Sequence, residues 1–180
     1  KILDKIINPT LNALSDIECS YKGFLYAGLM IIEDEPFLIE YNVRMGDPEC
    51  QTILPMLSND LFEIIHLCCE KKLNDIEIKL ENKKSLCVVL CSNGYPDDYK
   101  KNIELKNINL IKSNNNDFLF HAGTSNLNKR IVATGGRVLN FVSLSDSFNK
   151  AKKNVYKRIN DLNWSGGFYR SDIGYKVIDK

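Results

Sequence analysis

The 180 residues are 44% hydrophobic and 26% charged, with a net charge of +1. That is the balance of an ordinary soluble globular protein, long enough for one sizeable core or two small ones. It gives no electrostatic case for binding nucleic acid or an acidic membrane, and no apolar run nears the ~18 residues that span a bilayer.

In chain order, Ile2, Leu3, Ile6, Ile7, Leu11 and Leu14 recur at helical spacing, predicting a helix over 1–15 that Pro9 kinks or splits. No secretory signal opens the chain. Lys1 stands inside a periodic apolar pattern, which suggests a fragment whose start lies elsewhere. After a polar loop, Phe24 to Ile32 reads as a strand with almost no polar alternation, expected to be buried on both faces. Glu33-Asp34-Glu35-Pro36 is a turn, and Phe37 to Arg44 is the returning strand of a hairpin. Pro48 to Leu57 reads as a short helix. Asp60 and Glu63 form a capping-box signature for a helix to about Lys72, with Leu61, Ile64, Ile65 and Cys68 facing inward. The charged stretch 74–84 marks a domain boundary.

Beyond it, Ser85 to Cys91 reads as a buried strand and 93–98 as turn chemistry. Lys100 to Asn116 is rich in lysine and asparagine. Phe118 to Ala122, Arg130 to Thr134 and Val138 to Val142 are short strands, with Gly135-Gly136 expected at a tight turn or close backbone approach. Leu144, Phe148, Ala151, Val155, Ile159 and Leu162 mark an amphipathic helix. Its outer face carries Lys150, Lys152, Lys153, Lys157 and Arg158, read as solvated. The six cysteines lack paired zinc-ligand spacing and read as reduced, small core residues.

Chemistry gathers on the returning strand. Alternation puts Ile39, Tyr41 and Val43 on one face and Glu40, Asn42 and Arg44 on the other. Same-face neighbours lie roughly 6–7 Å apart. Glu40 and Asn42 can therefore lean toward one hard cation, which prefers oxygen ligands. Arg44 suits bidentate capture of a carboxylate or phosphate. Gly46-Asp47-Pro48 then turns the chain toward a helix N-terminus. This resembles half of a phosphoryl-transfer site. The other half, a glycine-rich phosphate loop with a lysine, does not occur in the sequence. Farther on, Gly135-Gly136-Arg137 could offer backbone N–H groups and a guanidinium to an anion. His121 reads as structural.

One ordered series of segments carries a family resemblance: Tyr21-Lys22-Gly23-Phe24-Leu25-Tyr26-Ala27-Gly28-Leu29, Glu40-Tyr41-Asn42-Val43-Arg44-Met45-Gly46-Asp47-Pro48-Glu49-Cys50-Gln51, Gly94-Tyr95-Pro96, His121-Ala122-Gly123-Thr124, Gly135-Gly136-Arg137-Val138-Leu139 and Tyr169-Arg170-Ser171-Asp172-Ile173-Gly174. Together they resemble the glycinamide ribonucleotide synthetase (phosphoribosylamine–glycine ligase) family of ATP-grasp enzymes. The departures are Met45 for a usual Phe, Cys50 for Thr and Asn102 for Gly, none in the proposed metal pair.

The resemblance implies an α/β (α+β) chain. Residues 1–75 would be the C-terminal part of an ATP-grasp domain, and 76–180 the small mixed α/β C-terminal domain. It implies ATP-dependent ligation of glycine to 5-phosphoribosylamine through glycyl phosphate, in purine synthesis in the cytoplasm. Glu40 and Asn42 would bind Mg²⁺ or Mn²⁺ with ATP. Arg44 would hold the acyl phosphate or glycine carboxylate, Asp47 would contact the glycine amine or a neighbouring loop, and Arg137 would approach a substrate phosphate. It also implies that the N-terminal substrate domain and most of the ATP-grasp domain precede Lys1, so this piece alone would be inactive. The alternatives are another ATP-grasp carboxylate–amine ligase and a non-catalytic partner-binding module.

Overall fold

A computed structural model of the chain describes residues 1–178. It is a mixed α/β structure that divides into two compact units, Lys1–Glu49 with Leu57–Lys79, and Cys50–Met56 with the chain from Leu80 onward. Among the described residues no helix is long and apolar enough to cross a membrane.

In the first unit, a π-helical turn (Leu3–Ile7) runs into helix α1 (Asn8–Asp16). The Asn8 N–H reaches back to the Leu3 carbonyl. This wide turn comes directly before Pro9, which has no N–H to continue an ordinary ladder. The helical segment therefore changes pitch and continues. Strands β1 (Tyr26–Ile32) and β2 (Glu35–Asn42) form an antiparallel hairpin. Tyr41 ties it to the helical segment: its hydroxyl lies 2.6 Å from Thr10 Oγ1 and donates to the Ile6 carbonyl at 3.1 Å. At the hairpin tip, Lys1 and Lys5 both pair with Glu35, which holds that carboxyl below its ordinary range.

The expectation that β1 is buried on both faces is corrected. Met30, Ile31 and Ile32 are each more than half exposed. Within the described residues β1 pairs with β2 alone, and an apolar sequence buries a strand only where something covers it.

Helix α2 (Glu49–Ile53) and a 3₁₀ turn (Leu54–Met56) follow. Helix α3 (Leu61–Cys69) begins at Asp60, whose carboxylate accepts from the Phe62 N–H at 2.8 Å. The cap bond thus goes to the second helical residue instead of Glu63. The inward face expected of α3 is only half-buried, and Ile65 is exposed. The helix ends earlier than expected, where Lys71 takes φ 60° and the Lys72 N–H returns to the Leu67 carbonyl, a left-handed C-terminal cap.

The second unit holds the larger core. Strands β3 (Lys84–Ser92), β5 (Asp117–His121), β8 (Arg137–Ser145) and β9 (Gly167–Phe168) form one sheet, in the order β5-β8-β3-β9. Strands β4 (Ile103–Glu104), β6 (Thr124–Leu127) and β7 (Arg130–Ala133) form a second, in the order β4-β7-β6. Helix α4 (Phe148–Leu162) is capped by Ser147 and ends at Asn163 in the left-handed conformation. Its buried stripe of Ala151, Val155, Ile159 and Leu162 packs with Val88, Leu90, Leu139 and Phe141. A separate cluster gathers Cys87, Val142 and Leu144, with Met56, Phe118 and Phe120 against it. Leu144 was expected to open the helix and instead belongs to β8, which runs through Ser145. Of the cysteines expected in the core, only Cys87 is buried, while Cys19 and Cys69 are exposed.

Arg158 corrects the reading of α4 as having a wholly solvated outer face. Its guanidinium donates to the carbonyls of Phe118 (2.8 Å) and Lys112 (3.0 Å) and sits 5.8 Å from the Phe141 ring centroid. Burial lowers its pKa, opposed by nearby Asp117. Arg158→Ala should therefore cost roughly 2–3 kcal/mol, because two carbonyls lose a charged donor and a ring loses its cation. Arg158→Lys should recover less than half, since one ammonium cannot reproduce the planar fork. Urea unfolding midpoints of the two variants test this order.

The segment from Tyr169 folds back along α4. Tyr156 donates to the Arg170 carbonyl at 2.8 Å, and Tyr169 to Asn160 Oδ1 at 3.2 Å. Arg170 makes a two-point pair with Asp172, at 2.9 and 2.6 Å. The segment ends at Gly174, with φ 81°, before the short helix α5 (Tyr175–Ile178).

Candidate functional site

In the first unit, hairpin register determines which side chains share the polar face. Tyr26 stands opposite Asn42, and Gly28 opposite Glu40. Directly opposed residues point to the same side of a sheet, so Tyr26, Gly28, Glu40 and Asn42 share a face. Tyr41 points the other way, to the helical segment. Gly28 leaves room for the acid beside it: a Cβ there would meet Glu40 Cγ at 3.2 Å.

Glu40 and Asn42 meet directly. Asn42 Nδ2 donates to Glu40 Oε1 at 2.9 Å. The amide's N and O are interchangeable by a half-turn of its plane. Ligands at 2.0–2.1 Å on an octahedral cation lie about 2.9 Å apart along an edge. A turned amide would therefore offer Asn42 Oδ1 beside Glu40 at a separation that a small hard cation accepts. The donor set of one charged and one neutral oxygen fits Mg²⁺ or Mn²⁺.

The row expected on β2 is corrected at both ends. Pairing slips between Gly28 and Leu29, leaving Ile39 as the extra residue of a bulge. Ile39 is 65% and Val43 73% exposed, so neither joins Tyr41 in an apolar face. The strand ends at Asn42. Arg44 lies on a bend beyond it, donates to the Met45 carbonyl at 3.0 Å, and is exposed. Asp47 sits in the following turn, also exposed.

Two contributors to this face were missed as a pair. The Tyr26 hydroxyl donates to Glu49 Oε1 at 3.1 Å. Burial and the Glu49 contact, with Glu40 nearby, raise the Tyr26 pKa. Gly46 is buried between them: a Cβ there would stand 2.2 Å from Glu49 Oε2 and 3.1 Å from the Tyr26 ring. The available signal was that Tyr26 lies two residues before Gly28 on β1, and so on its face.

In the second unit, Gly123, Gly135 and Gly136 serve close backbone packing. The Gly135 N–H is bonded to the Gly123 carbonyl, and the Gly123 N–H to the Arg137 carbonyl. Ser92 donates its N–H to the Gly136 carbonyl and its hydroxyl to that of Gly135, each at 2.8 Å. Tyr95 lies against Gly136, where a Cβ would meet its ring at 2.1 Å. The expectation that this glycine pair presents its N–H groups to an anion therefore fails for Gly135. Arg137 is exposed at the start of β8. It opposes the rise that burial gives the Cys91 thiol pKa. His121 Nδ1 lies 2.9 Å from Thr124 Oγ1, within its own turn.

The model of the phosphoribosylglycinamide synthetase C domain matches residues 85–176. The chain belongs to the phosphoribosylglycinamide synthetase family. The model of that family's ATP-grasp (A) domain matches residues 1–50. The chain is 42% identical to a phosphoribosylamine–glycine ligase of Caldanaerobacter subterraneus, over 96% of this chain and 41% of that protein. It is 38% identical to a bifunctional purine biosynthetic protein of Dictyostelium discoideum, over 99% of this chain and 23% of that one. The crystal structure of a phosphoribosylamine–glycine ligase from Thermotoga maritima superposes with a TM-score of 0.77 at 28% identity, covering 96% of this chain and 42% of that one. The chain thus spans about two fifths of the monofunctional relatives it matches.

Proposed function

We propose that the intact protein joins glycine to 5-phosphoribosylamine with ATP, giving glycinamide ribonucleotide, ADP and phosphate through glycyl phosphate, in the cytoplasm. The observation that carries this reading is the Glu40–Asn42 pair at 2.9 Å, within a chain matched by both the ATP-grasp and C-domain models of one family. Residues 1–75 are then the end of the ATP-grasp domain and 76–180 the C-terminal domain. The facing half of the nucleotide site belongs to the part that the resemblance places before Lys1.

When bound, ATP supplies the phosphoryl group, and Mg²⁺ or Mn²⁺ neutralises its phosphates. Glu40 and Asn42 would hold that cation through their oxygens. Arg44, with a permanent charge and a planar fork, orients the glycine carboxylate and stabilises the charge it carries once activated. Asp47 holds the glycine amine as an ammonium and keeps it from competing as a nucleophile. Arg137 attracts the phosphate of phosphoribosylamine.

Activation of a carboxylate by phosphate is useful only when the amine is present to trap it. In the intact protein, ADP release should therefore require glycine and phosphoribosylamine together. ADP formed with bicarbonate or D-alanine in place of glycine would overturn the assignment.

A further inference from the structure

We propose that Tyr26 and Glu49 are positioning residues that pin both ends of the segment carrying Arg44 and Asp47. This rests on the reading of that segment as part of a ligase site.

Residues 43–48 leave β2 at Asn42 and enter α2 at Glu49. Both flanking residues are tied to one residue of β1. Asn42 is opposed to Tyr26 across the hairpin. Glu49 accepts the Tyr26 hydroxyl bond at 3.1 Å. A loop with one end held by strand pairing to Tyr26 and the other by that residue's hydroxyl has far fewer conformations than one hinged at a single end. Gly46 is packed in the middle, where any side chain would displace the Glu49 carboxylate.

Arg44 and Asp47 are both exposed. The Tyr26–Glu49 bond spans the loop from strand to helix. It fixes where these two side chains stand relative to Glu40 and Asn42. Placement errors of about 1 Å at a reacting group can cost on the order of a hundredfold in rate, so a bond remote from the reacting atoms still bears on turnover.

The test compares Tyr26→Phe, Glu49→Ala, Glu49→Gln and Gly46→Ala in the intact protein. Hydrogen exchange of the peptide covering 43–48 is the first readout. Exchange should quicken about fivefold in Tyr26→Phe and Glu49→Ala, the scale of one lost hydrogen bond. Gly46→Ala should behave like them. Glu49→Gln keeps an oxygen acceptor for the hydroxyl and should stay within twofold of the unaltered protein. Turnover should fall about tenfold in Tyr26→Phe, Glu49→Ala and Gly46→Ala, with KM for ATP within twofold, and Glu49→Gln should retain most of the unaltered rate.

Unchanged exchange in Tyr26→Phe, or Glu49→Gln behaving like Glu49→Ala, would overturn the pin. Quickened exchange with unchanged turnover would overturn its positioning role. An unaltered protein that forms no ADP with glycine and phosphoribosylamine would overturn the reading of function instead, and the exchange result would still decide whether the pin exists.

Discussion

Glu40→Gln should lower the metal-dependent turnover of the intact protein by at least about a hundredfold, and raise the Mg²⁺ concentration needed for half-maximal rate. Glutamine preserves size and leaves one carbonyl oxygen, but it removes the only negative charge of the Glu40–Asn42 pair. Loss of one preorganised electrostatic contact at a transition state costs about 3–4 kcal/mol, which is two to three orders of magnitude in rate. Folding should be nearly untouched, because Glu40 is exposed and accepts its hydrogen bond from its own strand neighbour Asn42. Asn42→Ala should fall less, since a water can replace a neutral ligand. Steady-state rates titrated with Mg²⁺ separate these outcomes, and an unchanged metal dependence in Glu40→Gln would remove Glu40 from the site.

The second large effect concerns folding. Gly123→Ala should destabilise the protein by roughly 2–4 kcal/mol, the scale of overpacking that meets rigid neighbours. An added Cβ would stand 2.5 Å from Gly135 Cα and 2.7 Å from both the Arg137 carbonyl oxygen and the Gly135 nitrogen. All three are backbone atoms held by hydrogen bonds between the same segments, so none can swing aside. Gly135→Ala meets looser neighbours, at 2.9 Å and beyond, and should cost less. At Gly136 the obstacle is the Tyr95 ring, which can rotate away. Chemical unfolding should order the losses with Gly123 first. A loss below about 0.5 kcal/mol for Gly123→Ala, the range of ordinary surface changes, would contradict the packing described.

The polar pair was readable from Glu40-Tyr41-Asn42, because strand alternation alone sets two residues of one parity side by side. The bulge at Ile39 was not readable. It exists only in the pairing of β2 with β1, and it takes Ile39 out of the apolar face that simple alternation gives it, while Val43 lies beyond the end of the strand at Asn42. Arg44 was placed one step along the strand, but the strand ends at Asn42, and nothing in the residues marks that end before the Gly46-Asp47-Pro48 turn. The Tyr26–Glu49 bond joins residues 23 apart in sequence, and its existence depends on where the chain re-enters a helix. Helix α4 was legible because its apolar stripe repeats at helical spacing. Arg158 was misread because a helix period locates the outward stripe, while the Phe118 carbonyl arrives with the edge strand β5 and the Lys112 carbonyl with the irregular segment before it. Strand β6 was missed because Thr124-Ser125-Asn126-Leu127 has little apolar content. Its evidence is the turn at Asn128 and Lys129, both at positive φ, which pairs it with β7.

The proposed function requires a divalent cation at Glu40 and Asn42 when nucleotide is bound. Mn²⁺ can replace Mg²⁺ at oxygen sites and broadens nearby nuclear resonances. In the intact protein, labelled at asparagine and glycine and saturated with ATP, substoichiometric Mn²⁺ should selectively broaden the Asn42 side-chain amide and the Gly28 backbone amide. Glu40→Gln should abolish that broadening. Asn42 and Gly28 signals that stay sharp while resonances elsewhere broaden would place the cation outside this strand and contradict the account.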